Sequence, residues 1–312
     1  MWLFFVQCRC TGGRRYSPIR PSVGFDSRSA QLLPYGGVNL IVWKESIHMQ
    51  VITFSSIKGG TGKTSHVIMV ANCLGAAGFR VLVIDMDLNN AASFYYLNEQ
   101  TQERVNEKNI AAAIGRADNR LEDYILLTDH RGVDIIPSSL YLVDMRGVSD
   151  RRLAQMLPTI SEQYDFVFID TQPTYDNLVL AAYNASDIII TPANLCTFDY
   201  NTATFLRDKI ATETDKINNW YITINGYNAR YAQAGTGIQK EYIDYFQRDF
   251  TLTPSQTWLP WTSTVRKITD QNMYLSDKKS GKDTAVNPKL YDAVCALAES
   301  ISGTTFVRPE EF

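Results

Sequence analysis

Little in this sequence would place the chain in a membrane or an oxidising compartment. No run of roughly 18 apolar residues occurs, so no membrane-spanning helix is expected. The five cysteines, Cys8, Cys10, Cys73, Cys196 and Cys295, are odd in number and irregularly spaced. That pattern argues against a disulfide framework and suggests free thiols in a reducing, intracellular setting. Cys8 and Cys10 are too isolated to make a metal site by themselves. The formal net charge of −3 excludes a surface coated in basic residues but leaves a local basic patch open. No internal repeat is visible. What remains is ordinary: 312 residues, 45% hydrophobic and 20% charged, enough for one large α/β domain or two small ones with a substantial core.

Residues 1–48 differ from the rest. They are rich in Arg, Ser, Gly and Pro and carry no sustained helical or strand period. Their apolar stretch, Met1–Val6, precedes the arginines, the reverse of a secretory signal. The segment superficially fits a transit peptide and reads most simply as a disordered or extraneous extension. Met49, just ahead of the first clear strand, is the expected start of the fold, so the domain reading is an extension over 1–48 and one domain over 49–312.

From there, short β-branched runs recur: Val51–Phe54, Val81–Ile84, Val133–Ile136, Phe166–Ile169, Ile188–Thr191 and Tyr221–Ile224. Their length and composition favour buried strands over helix fragments. Helical periods lie between and after them. Val67, Val70, Ala71 and Leu74 recur at i, i+3, i+4 and i+7, as do Leu290, Val294, Leu297 and Ile301 at comparable spacing near the end. Strands alternating with helices imply right-handed βαβ units: a single α/β domain with a mainly parallel, twisted sheet and helices on both faces.

Between the first strand and first helix runs Lys58-Gly59-Gly60-Thr61-Gly62-Lys63-Thr64-Ser65. Glycines let the backbone turn tightly enough for its N–H groups to face an anion, and the following helix offers its positive end to the same point. In such a phosphate loop Lys63 reaches the β- and γ-phosphates of ATP and the Thr64 hydroxyl binds Mg2+. Gly-rich turns without ligands also occur, but here loop, lysine, hydroxyl and flanking elements agree.

The second strand ends Ile84-Asp85-Met86-Asp87, and the fourth ends Ile169-Asp170. Carboxylates at the carboxyl ends of parallel strands point into the crevice where ligands bind. One Asp in such a place could simply cap a helix or shape a turn; two flanking a single residue beside a phosphate loop are harder to dismiss. An apolar strand ending in Asp, behind such a loop, is the Walker B pattern, with Asp170 holding Mg2+.

The two lysines around Gly-Gly-Thr-Gly resemble the ParA/MinD family of deviant Walker A, or SIMIBI, P-loop ATPases, and the chain from Met49 to Ile301 resembles its ParA/Soj-type partition members. Gly132-Val133-Asp134-Ile135-Ile136-Pro137-Ser138-Ser139-Leu140, Ala181–Pro192, and Leu259-Pro260-Trp261 followed by Val265-Arg266-Lys267-Ile268 look like further family segments. The family usually shows D-x-D-P-Q-G-N-A-S and D-T-P-P; Leu88, Asn89 and Gln172 depart from it. The resemblance implies that Lys58 reaches across a nucleotide-sandwich homodimer, that Asp87 orients the attacking water, and that Asp85 supports the metal. It also implies that Asn225 and Pro260 lie near the adenine.

The function so implied is a slow, partner-stimulated ATPase. Its ATP dimer binds non-specific DNA, a ParB-like centromere-binding protein triggers hydrolysis, and plasmid or chromosomal DNA is partitioned in the bacterial cytoplasm on the nucleoid. DNA contacts would come from Arg and Lys; Arg207, Arg230, Arg266 and Lys267 are candidates, each of which could equally be a solvated charge. Three alternatives stay open. A ParA-like positioner of a non-DNA cargo has the same signature. A MinD-like membrane-associated ATPase would want a basic amphipathic C-terminal helix, for which Arg308-Pro309-Glu310-Glu311 is unsuited, so no stable membrane association is expected. An iron-protein-like reductase would need a second cluster cysteine beside Cys196.

Overall fold

The structure is a computed structural model that describes residues 30–35, 38–43, 48–97, 103–116, 118–228, 237–270 and 287–305. The chain divides into two compact units, residues 1–48 and 49–312. In the first, β1 (Ala30–Tyr35) and β2 (Val38–Trp43) pair antiparallel.

The second unit is built on a seven-stranded sheet. Its strands are β3 (Gln50–Phe54), β4 (Val81–Met86), β5 (Leu126–Leu127), β6 (Val133–Ile136), β7 (Phe166–Thr171), β8 (Ile188–Ala193) and β9 (Trp220–Ile224). They lie in the order β5-β6-β4-β7-β3-β8-β9. All neighbours run parallel except β5, a two-residue antiparallel edge strand that the sequence reading did not anticipate. Central strands are buried on both faces, so they read as continuous apolar runs rather than alternating ones.

The helices are α1 (Lys63–Ala76), α2 (Ala91–Tyr96), α3 (Ile110–Ile114), α4 (Arg152–Met156), α5 (Asn177–Ala185), α6 (Thr197–Glu213), α7 (Ile238–Asp249), α8 (Thr264–Asp270) and α9 (Pro288–Ser302). On one face, Leu82, Ile84, Val167 and Ile169 share a core with residues of α3, α4 and α5. On the opposite face α1 packs over β3, β4 and β7 and against α9. There Phe54 lies 6.0 Å from Phe168 and Phe79 meets Phe166 edge-on at 5.2 Å. A further core joins β8 and β9 to α6 and α7 around Trp220, Ile222 and Phe246.

The expected apolar faces are buried: Val67, Val70, Ala71 and Leu74 on α1, and Leu290, Val294, Leu297 and Ile301 on α9. Helix α9 starts at an Asn287 side chain that accepts from the Leu290 N–H, with proline in its first turn, and stops at left-handed Gly303. Three strands outrun their expected ends: β4 to Met86, β7 to Thr171 and β8 to Ala193. Pairing of β4 with β7 continues through Asp85 opposite Asp170 and Met86 opposite Thr171, so both carboxylates sit inside the sheet's last rungs.

Candidate nucleotide-binding site

The loop after β3 turns at Gly60 and Gly62, both with positive φ, and delivers the chain into α1 at Lys63. Gly62, at φ 96°, precedes the helix and leaves no room for a side chain. A Cβ there would stand 2.7 Å from Asn225 Nδ2. That amide donates to the Thr61 carbonyl at 2.8 Å, so the end of β9 clamps the loop from behind. The first-turn N–H groups of α1 have no intrahelical acceptors, and the glycine turn gathers them beside Gly59–Ser65.

Lys63 is buried, as are Asp85, Asp87 and Asp170. Burial lowers the Lys63 pKa, against the pull of Asp170 and then Asp87, and Lys63 Nζ also lies 3.4 Å from the Lys58 carbonyl. The carboxylates differ in kind. Asp85 is fully engaged: one oxygen accepts from the Asp87 N–H at 3.0 Å, the other from Ser93 N–H and Oγ at 2.9 and 2.7 Å. Ser93 Oγ in turn accepts from the Ser138 N–H at 2.9 Å. Burial pushes the Asp85 carboxyl up to about 6 despite these bonds. Asp87 accepts from the Asn89 N–H and side-chain amide at 2.9 and 3.0 Å, fixing the turn that leads to α2. Asp170 is the exception. Both its oxygens are fully buried and, among the described residues, accept no hydrogen bond. Burial and then the Asp85 charge raise its pKa well above the usual carboxylate range, with the Thr64 hydroxyl and Lys63 pulling the other way.

An orphaned buried carboxylate beside a helix-terminal threonine fits a divalent cation, which would satisfy its oxygens and reverse its electrostatics. Among the described residues no three His, Cys, Asp or Glu side chains converge on a metal point. A Mg2+ ion here would therefore draw most of its oxygens from phosphate and water, the habit of that ion at nucleotide sites.

Lys58 sits at the loop's entrance, partly exposed, and its ammonium is ion-paired with Asp199 near the start of α6. Asn225 and Pro260 belong to adjoining segments: Tyr227 bridges to Pro260, and the Tyr227 N–H donates to the Leu259 carbonyl at 2.9 Å. Arg207 lies on α6, paired with Asp208 and 5.6 Å from the Phe250 ring. Exposed Arg266 and Lys267 lie on α8. Arg230 falls outside the described residues. Gln172 is buried and donates to Asp176, which caps α5.

Several contributors had no role in the sequence reading, Ser93 and Asn89 among them. Asp199 and Asn194 are remote from the loop in sequence, with no spacing to betray them. His66 follows the loop on α1 and is fully buried. Its Nδ1 meets the Gly62 carbonyl at 2.7 Å, its ring stacks on Phe54 at 5.8 Å, and burial pushes its pKa down to about 4. Its place one residue after Ser65 was the only available hint.

A parallel sheet whose central strand feeds a glycine loop, a buried lysine and a helix, with carboxylates closing the neighbouring strands, defines a P-loop nucleoside-triphosphate-binding protein. Residues 49–222 match the family described as AAA domain, and the chain belongs to it. The chain's relatives include proteins named for ParA, Soj and carboxysome distribution. It is similar to a virulence plasmid ParA family protein of Chlamydia psittaci, 31% identical over 46% of this chain and 56% of that one. It is also similar to the maintenance of carboxysome distribution protein A of Synechococcus elongatus, 27% identical over 52% and 65% of the two chains. In structure it resembles a Borrelia burgdorferi plasmid partition protein bound to AMPPNP, with a TM-score of 0.64, 22% identity, and 82% and 99% of the two chains covered. The chain spans about half the length of most of the curated relatives it matches. No described helix is long and apolar enough to cross a membrane.

Proposed function

We propose that the chain is an ATP-switched positioning ATPase whose working body is residues 49–312, with residues 1–48 outside it. ATP bridges two copies, the Lys58 ammonium of each reaching the other's phosphates. Lys63 and the N–H groups of Gly59–Ser65 hold the nucleotide's own phosphates, and Asn225 and Pro260 border the adenine. Thr64 and Asp170 hold Mg2+, which supplies charge neutralisation at the phosphates. Asp85, expected from the sequence to support the metal, has both oxygens taken by the Asp87 N–H and Ser93, and instead shapes the turn that aims Asp87 at the attacking water. The observation that carries this reading is the contrast between the two lysines of one loop: Lys63 buried against Asp170 and Asp87, Lys58 at the surface.

The ATP dimer binds non-specific DNA through Arg207, Arg230, Arg266 and Lys267, and a ParB-like partner stimulates slow hydrolysis and release on the bacterial nucleoid. The logic is a population shift: ATP favours the dimer because contacts from Lys58 to phosphate exist only across it. The test is duplex-DNA binding by the full chain with ATP, with ADP and without nucleotide, across a salt series, beside Lys58→Gln. Binding that needs ATP and Lys58 and falls with salt supports the reading. No binding in any state, with ATPase and dimerisation intact, overturns the DNA step. It would leave a non-DNA cargo, which the name of the carboxysome-distribution relative favours as the second reading.

A further inference from the structure

Lys58 is not idle in the single subunit. Its Nζ donates to Asp199 Oδ1 and lies 3.9 Å from Cys196 Sγ and 5.8 Å from the centre of the Phe198 ring. Asp199 itself is almost fully buried, and Phe198 is 74% exposed. Asp199 Oδ2 is held independently by Asn194, whose N–H and side-chain amide donate at 2.7 and 2.8 Å, while the Cys196 thiol donates to Oδ1 at 3.4 Å. The carboxylate is therefore fixed at the mouth of the loop with or without the lysine. When Lys58 leaves, three donors remain, so release does not strand a bare buried charge, the situation that makes most buried ion pairs hard to open. The hydrogen bond from Lys58 to Asp199 also raises the lysine's pKa.

An ammonium seated on Asp199 is directed into its own subunit. We propose that Asp199 is a positioning residue for Lys58. It holds the ammonium within the nucleotide-free subunit, and the ATP-bridged dimer forms by exchanging this carboxylate for a phosphate of the nucleotide on the second copy. The inference rests on the ATP-bridged dimer proposed above. Asp199 thereby sets the monomer–dimer balance: the tighter its hold, the higher the concentration at which ATP assembles the dimer. Exposure on the lysine side weakens the pair relative to a buried one, so its removal is worth about tenfold in dimer affinity.

Asp199→Asn keeps an oxygen for Asn194 and removes the charge; circular dichroism checks that it folds. Two measurements follow on the full chain. Sedimentation with AMPPNP and Mg2+ gives the dimer Kd of wild type, Asp199→Asn, Lys58→Gln and the double variant. Acetylation of the nucleotide-free proteins with N-hydroxysuccinimide acetate, read at Lys58 by mass spectrometry, gives the freedom of the amine. The expected result is a dimer about tenfold tighter in Asp199→Asn, no such gain in the Lys58→Gln background, and Lys58 acetylated several-fold faster without Asp199. A wild-type dimer whose affinity is unchanged or weakened in Asp199→Asn overturns the inference alone. So does a gain that survives Lys58→Gln, or an unchanged acetylation rate. No wild-type dimer with AMPPNP overturns the dimer reading and the exchange together.

Discussion

Asp170→Asn should make the nucleotide-free protein more stable and the Mg2+–nucleotide complex less so. In the site three carboxylates, Asp85, Asp87 and Asp170, surround one buried ammonium, Lys63. Asp85 and Asp170 are directly paired on neighbouring strands, which stand about 4.8 Å apart. At an effective dielectric of 20 that like-charge pair repels by about 3 kcal/mol, partly offset by Lys63. Among the described residues neither Asp170 oxygen accepts a hydrogen bond, and an unsatisfied buried polar group costs about 1–3 kcal/mol. A neutral amide of the same shape relieves the repulsion, so the net gain should be about 1–3 kcal/mol, a melting shift on the order of 5 °C for a body of this size.

The sign of the pH dependence follows from the raised Asp170 carboxyl. The folded state prefers this group protonated, so the wild type is not penalised in acid and loses stability as pH rises through the raised value. The advantage of the variant should therefore open with rising pH and close below the ordinary aspartate range. With Mg2+ and AMPPNP the order reverses, because binding at a hundredfold excess over Kd adds about 2.7 kcal/mol, and the variant has lost a metal oxygen. Scanning fluorimetry at several pH values, with and without Mg2+–AMPPNP, measures all of this. A nucleotide-free variant that melts below wild type at pH 8, or one that gains the same Mg2+-dependent increment, would refute the reasoning.

Gly62→Ala should cost about 2 kcal/mol, from a left-handed φ and the 2.7 Å approach of Asn225; denaturant titration beside Gly62→Ala with Asn225→Ala should show part of the loss recovered. His66→Asn keeps a donor to the Gly62 carbonyl and removes the titration. The His66 pKa is depressed to about 4, so the wild type loses stability as pH falls from about 6.5 to 4, by about 3 kcal/mol, and the variant should lack that component in urea melts across the window. Asp87→Ala should keep ATP-dependent dimers and abolish phosphate release, measured by sedimentation and a coupled phosphate assay; normal turnover would remove Asp87 from the chemistry. Lys63→Ala should lose nucleotide binding by calorimetry while gaining no dimer with ATP.

The six long strands of the sheet, the phosphate loop and the carboxylates that close two strands were legible because each is local. A β-branched run buried on both faces announces a parallel strand, and a glycine loop between such a run and a helical period announces an anion site. The edge strand Leu126–Leu127 was not legible, since two residues carry no period and exist as a strand only because β6 offers them an edge. The division of labour among the carboxylates was equally hidden. Asp85 and Asp170 look alike as strand ends, yet Asp85 is taken by Ser93 and the Asp87 backbone while Asp170, among the described residues, accepts no hydrogen bond and faces Lys63 and Thr64. The seat of Lys58 on Asp199 joins residues 141 apart in sequence, and the clamp of Asn225 on Thr61 joins residues 164 apart. The sequence determined which chemistry was present, because backbone turn geometry and side-chain type are properties of neighbours along the chain. Which of those groups are spent on one another and which stand ready for a ligand was decided only when the sheet brought distant strand ends together, since burial and hydrogen-bond partnership are properties of neighbours in space.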